Sequence, residues 1–351
     1  MKVRNDRMRT TLQQANLTSS PLFSNLLLAA TLSALLIASG CSSSGASSST
    51  TTTNQYATAY KSASWGSTVT VTFPSNCAMT LTTSGLPDYT PNPYYLAPAS
   101  GSDTVVAHTA VTNTALSLIS YADDIKPGLR GTTTTLNICP TKASSTTSAG
   151  LGAIGYLISG TAMFNPFEAD ASTPAVADNA SYTFTDSSGN SQTAYFLDQC
   201  DTHSNGSTWH AHGNPDCVTS QVDTATGPSH IIGIALDGYP IYGGRDINGN
   251  VIDVSQLDAC NGITSPTPEF PSGAYHYVLP IGVTTKYASI NCFTGTVSTQ
   301  SMAQARRLAC NMKMMTAMLH EHSQPQPNKP EQQMMGDMTM PSSAPMPAGS
   351  M

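Results

Sequence analysis

The chain has 351 residues, and only 10% of them are charged, against about 25% in an ordinary globular domain. Its 14 Lys and Arg face 21 Asp and Glu, a formal charge of −7. That balance excludes nucleic acid as a partner, because such binding rests on cations that neutralise phosphates. It also excludes charge-driven docking on an anionic membrane. Four of the cations (Lys2, Arg4, Arg7, Arg9) precede Cys41, with one acid (Asp6), so the remainder is more acidic still.

Residues 1–25 are polar with a basic start. Residues 26–38 (LLLAATLSALLIA) form an apolar run too short to span a bilayer as a stable helix. A basic start, a short apolar run and small residues read as an export signal. The run ends Ile37-Ala38-Ser39-Gly40-Cys41, which resembles the bacterial lipoprotein signal. Residues 1–40 are therefore expected to be a signal peptide. Cys41 would be the lipidated first residue and the anchor to a membrane, with ordinary secretion the alternative and Met8 a second candidate start. Ser42 after the Cys resembles outer-membrane sorting; otherwise the setting is periplasmic or extracellular. Residues 41–58 read as a Ser/Thr-rich tether.

Without Cys41, seven cysteines remain. Sequence does not fix their connectivity; proximity suggests Cys77 with Cys139, Cys200 with Cys217 and Cys260 with Cys292, leaving Cys310. None lies in a CxxC pair, which argues against a zinc ribbon or a thioredoxin-type site.

The central region repeats itself. Ile154–Gly160 and Phe164 match Ile232–Gly238 and Tyr242 at an offset of 78. Asp186, Gly189, Asn190, Leu197, Asp198 and Cys200 match Asp246, Gly249, Asn250, Leu257, Asp258 and Cys260 at 60. Trp209-His210 matches Tyr275-His276 at 66. Two copies are too few for a solenoid, so a pseudo-symmetric pair within one domain is expected, at about 153–217 and 231–292. Ser188-Gly189-Asn190 and Asn248-Gly249-Asn250 are hairpin signals. Thr68–Phe73 and Cys77–Thr83 alternate like half-buried strands. The predicted fold is mainly β: one pseudo-duplicated antiparallel β domain with disulfides over 59–297, then one helix and a disordered tail.

Trp209-His210-Ala211-His212-Gly213 carries the most chemistry. Side chains in a strand alternate faces, so His210 and His212 point to one side and can take one ion. Neutral imidazole suits copper, zinc, iron and nickel. Tyr275-His276-Tyr277 would add His276 from the second copy if the copies bring these histidines together. Packing of the rings in a core edge is the competing reading. His203, His230, Asp198 and Asp258 rank second, and for the two Asp residues turn chemistry is the simpler account.

These segments, with Leu236-Asp237-Gly238-Tyr239-Pro240-Ile241-Tyr242-Gly243, Leu257–Gly262, Pro268–Tyr277, Asn291–Gly295 and Gly85-Leu86-Pro87-Asp88, resemble the YHYH domain family over roughly 75–297. The resemblance implies an exported bacterial protein, often part of a larger surface protein. It implies no agreed reaction and no catalytic residues. Neither copy spells the name-giving motif: the first has Trp209 and Ala211 in place of tyrosines, and the second has Val278 in the last place.

Eleven of the 15 methionines fall in the last 50 residues. Ser301-Met302-Ala303-Gln304 resembles a capping box, and a Met-rich helix is expected over 298–322. Cys310, Met314, Met318 and His322 stand four apart on it, with His320 beside them. Residues 323–351, rich in Met and Pro, lack the residues to build a core. Thioethers select Cu(I), which makes Met314, Met318, His320 and His322 candidate ligands, with adaptable packing as the alternative.

No G-x-S-x-G, H-E-x-x-H, P-loop or dinucleotide fingerprint appears. The functional expectation is a cell-envelope lipoprotein binding a transition metal, copper foremost, through His210, His212 and His276. Two alternatives stand: an adhesion or carbohydrate-binding module using Trp65, Trp209 and exposed tyrosines, and an extracellular hydrolase using one histidine as base. Whether the chain is an enzyme stays open, leaning to no.

Overall fold

The computed structural model describes residues 54–98, 116–178, 180–299 and 301–303. The stretch expected to be a signal peptide, Cys41 and most of the expected tether lie outside them, as do Cys310, Met314, Met318, His320, His322 and residues 323–351. Helical residues at 299 and 301–303 mark the start of the expected C-terminal helix. Among the described residues no helix is long and apolar enough to cross a membrane.

The fold is mainly β, and its spine is an eight-stranded sheet. Its strands in chain order are β1 Ala153–Leu157, β2 Ala162–Phe164, β3 Thr202–Ser204, β4 Trp209–Ala211, β5 Ile231–Ala235, β6 Pro240–Tyr242, β7 Gly262–Ser265 and β8 Ala274–Val278. In space they run β3-β4-β2-β1-β5-β6-β8-β7. Read outward from the centre, both halves follow the same path: first strand, second, fourth, third. β2–β4 and β6–β8 pair parallel and the other neighbours antiparallel. The sheet is thus mixed rather than purely antiparallel, because the third strand of each half returns on the outside.

The duplication is written into the register. At the centre Tyr156 pairs with Ile234, its own counterpart at offset 78, while Leu157 pairs with Gly233 and Gly155 with Ala235. A pseudo-twofold axis therefore passes through the Tyr156–Ile234 pair. Gly155 and Gly233 are equivalent, and each is required. A Cβ on Gly155 would lie 2.5 Å from the Ile234 carbonyl oxygen, and one on Gly233 would lie 2.6 Å from that of Tyr156. Gly160 and Gly238 turn the two inner hairpins at φ +84° and +89°, a conformation that favours glycine.

The offsets of 78 and 60 differ because the first copy holds an inserted hairpin, Ser181–Thr185 with Ser191–Tyr195. The turn at Asp246 closes the Arg245–Val251 bridge directly after β6, as the turn at Glu168 closes Phe167–Pro174 after β2. The matched Asp186 segment instead tips the inserted hairpin. Its local bonds are the same, with each Asp Oδ1 accepting from the amides two and four residues on.

A three-stranded sheet of Val69–Ser75, Ala78–Thr83 and Thr132–Asn137 lays Met79, Leu81 and Leu136 into the core formed by Ile154, Leu157, Ile232, Ile234 and Ile241. The helix Gln55–Ser62 occupies the end of the stretch read as tether. Asn54 caps it by accepting from the Tyr56 amide, and the buried Tyr60 hydroxyl donates to the Gly238 carbonyl, so this segment is pinned to the second copy. The cysteines form three disulfides: Cys77–Cys139, Cys200–Cys217 and Cys260–Cys292.

Candidate metal centre

β3 and β4 form the outer hairpin of the first copy. Asn205-Gly206 makes its turn: the Asn205 side chain accepts from the amides of Ser207 and Thr208, and Gly206 takes φ +90°. That turn sets a register in which His203 lies directly across from His210. His212 follows at the end of β4. The Cys200–Cys217 disulfide closes a segment of chain that contains all three histidines.

His210 and His212 are buried, and His203 is half-buried. Each offers one ring nitrogen, and the three nitrogens lie within 4.8 Å of one another. His210 Nδ1 lies 3.0 Å from the Thr208 carbonyl oxygen and His212 Nδ1 2.7 Å from that of Asn165. A carbonyl oxygen only accepts, so each Nδ1 must carry the ring proton. Neutral imidazole has one proton, which leaves both Nε2 atoms as bare lone pairs. Those two lone pairs face each other at 3.1 Å. Burial holds His212 down at about 4 and His210 well below the ordinary imidazole range, so a proton does not bridge them at neutral pH. Two lone pairs at this separation suit a cation between them, and the tethered Nδ1–H groups are the orientation that metal-bound histidines show.

The walls are aromatic. Phe164 stacks on His210 with centroids 3.8 Å apart, and Phe196 meets His203 edge-on at 4.9 Å. Trp209 faces away, buried among Tyr95 and Tyr121, with its indole N–H donating to Tyr89. At 1% exposure it cannot serve as a stacking platform. Trp65 is half-buried and donates to the Tyr60 carbonyl.

His276 does not join the group, which corrects the expectation that it converges with His210 and His212. It occupies β8, the counterpart of β4, on the far side of the axis. Five strand spacings of roughly 4.8 Å separate the two, about 24 Å. His276 donates from Nδ1 to the Ala274 carbonyl, as His210 does to Thr208, and lies against Tyr242 as His210 lies against Phe164. Across from it stands Ile263, where the first copy has His203. Val278 stands where the first copy has His212. The third member of the group is therefore His203, ranked second from sequence. The Asn205-Gly206 dipeptide signals a hairpin here, but a two-residue loop would pair 203 with 208; the loop is four residues, Asn205–Thr208, and that length puts 203 across from 210.

The remaining candidates serve structure. Asp198 accepts from the amides of Cys200 and Thr202 and from the Tyr95 hydroxyl; Asp258 does the same for Cys260, Gly262 and Tyr275. His230 pairs with Glu269 at 2.8 Å, and Glu269 also accepts from the Tyr242 hydroxyl.

Three disulfides point to an oxidising setting, extracellular or periplasmic. No curated protein and no solved structure matches the chain. A family model described as YHYH protein matches residues 133–253, a narrower stretch than the 75–297 over which the sequence motifs resemble that family. It spans β1 to β6 and stops short of β7 and β8. The chain thus carries a YHYH-family segment at 133–253, and all three converging histidines lie within it.

Proposed function

We propose that this chain binds one transition metal ion through His203, His210 and His212, that the ion is copper, and that the protein works in the bacterial cell envelope as a lipid-anchored protein. One observation carries the metal reading: two Nε2 lone pairs at 3.1 Å, each fixed by a carbonyl behind its own ring, with a third imidazole in reach. Copper is favoured on two grounds. Divalent copper heads the first-row affinity order at nitrogen sites, and the Met-rich C-terminal segment, with Met314, Met318, His320 and His322, has the soft donors that Cu(I) selects. The anchor reading rests on the run into Cys41, with the membrane as partner.

The test is a titration of the chelator-treated full chain with copper and zinc, with and without residues 311–351. The expected result is one tight copper that survives removal of the tail and is lost on His212→Ala in a chain whose circular dichroism is unchanged. Copper that disappears with the tail alone, or no copper at all, sinks the reading. Mature chain that leaves the membrane fraction on Cys41→Ser would support the anchor; unchanged partitioning would remove it.

A further inference from the structure

We infer that this is an open metal centre, in which the ion held by His203, His210 and His212 keeps a coordination position for one small exogenous ligand, water or a small anion. The inference rests on the metal-binding reading above and goes on to its coordination number and chemistry.

Closed structural sites use four protein ligands, whereas catalytic sites use three and leave the fourth position to water or substrate. Three nitrogens converge here. Among the described residues no Cys, Asp or Glu joins the group. The six described cysteines are all in disulfides, so none of them offers a thiolate. Asp198, on the turn that leads into β3, has its carboxylate committed to Tyr95, Cys200 and Thr202. The aromatic side chains against the rings, Phe164 stacked on His210 and Phe196 edge-on to His203, have no donor atom to give. The ligand set is also lopsided in depth. His210 and His212 are buried at 2% and 4% exposure, and His203 is only half-buried. The ion is therefore backed by the buried pair, and the His203 side is its more exposed side.

Azide is the probe, because it is small, anionic and gives a charge-transfer absorption when bound to Cu(II). The full chain carrying one equivalent of Cu(II) is titrated with azide. The expected result is a new band that saturates at one azide per copper. It should be absent from the His203→Ile, His212→Val chain given the same copper. A copper-loaded chain whose spectrum azide leaves unmoved overturns this inference while leaving the metal-binding reading intact. A band that persists in the double variant places the open copper elsewhere in the chain and also overturns it. Failure to take up copper overturns both.

Discussion

Rotating one half of the eight-stranded sheet onto the other superimposes two sites built on one scaffold with different contents. His210 falls on His276, Phe164 on Tyr242, and the Thr208 carbonyl on that of Ala274. The tether that fixes the ring is present in both halves. The ligands around it are not: His203 and His212 become Ile263 and Val278. Near His276 the polar chemistry has moved to a carboxylate, where Glu269 accepts from both Tyr242 and His230. Each half therefore holds one carbonyl-anchored histidine, and the proposed metal binding turns on two further positions. Exchanging those positions between halves is the test.

The largest effect should come from making the first half resemble the second. His203→Ile with His212→Val leaves His210 and its Thr208 anchor in place and installs residues that the counterpart positions already hold. Copper affinity should fall at least roughly 100-fold, more than the loss of an outer-shell partner usually costs, as read by competition with a chelator. Retained affinity would mean that the three histidines are not the site.

The same comparison separates what could be read without coordinates from what could not. The strands around Ile154 and Ile232 and the duplication follow from local pattern, because a buried strand and a repeated Gly leave marks in the chain itself; proximity suggested the disulfide pairs without fixing them, and the structure has those three. Spatial neighbours in the metal centre depend on register and on the order of strands in the sheet. The order puts His276 on the wrong side of an axis that only the Tyr156–Ile234 pairing locates. The register puts His203 opposite His210. The inserted hairpin that shifts the offset from 78 to 60 also hid which Asp turn in the first copy corresponds to Asp246, since Asp186 and Asp246 make identical local bonds. The helix Gln55–Ser62 was masked by the Ser/Thr-rich run before it; its buried Tyr60 and the Asn54 cap were the marks it left.

A second test uses pH on metal-free protein. His212 is held down at about 4 by burial against an ordinary 6.5. Between those values the unfolded chain binds more protons than the folded one, so this stability is full above pH 6.5 and is lost as pH falls toward 4. The limit for one such group is about 3 kcal/mol. Carboxylates run the other way: burial raises Asp237 to about 6 and Asp201 and Glu168 to about 7, so their contribution is lost as pH rises through those values. The difference between chains isolates the histidine cluster from these carboxylates. Relative to the original, the His203→Ile, His212→Val protein should gain melting temperature steadily from pH 7 down to 4. A pH-independent difference would show that the cluster's histidines are not held neutral by burial.

The converse exchange should be milder. Ile263→His with Val278→His gives the second half three imidazoles around the existing His276 anchor, and copper stoichiometry should rise from one to two. Val278 is fully buried, and a polar ring there costs about 1–3 kcal/mol in the metal-free chain, which bound metal should offset. A stoichiometry that stays at one would mean that Phe164, or the absence of a nearby carboxylate, matters as much as the ligand count.

The smallest change asks whether the two halves are energetically independent. Tyr242 is the counterpart of Phe164 with one added hydroxyl, and that hydroxyl donates to Glu269 at 2.8 Å and lies 3.0 Å from the Thr267 hydroxyl. Tyr242→Phe removes a charge-assisted bond whose loss should cost about 1–3 kcal/mol, visible as a lower denaturant midpoint. Glu269 keeps its bond to His230, so its charge is not stranded and the cost should fall toward the low end. The first half's histidines lie some five strands away from β8. Copper affinity should therefore stay within about twofold, as additivity between distant sites requires. A larger shift would show that strain passes through the β1–β5 junction, where Gly155 and Gly233 leave the two backbones in direct contact, and that the duplicated halves act as one unit despite their different contents.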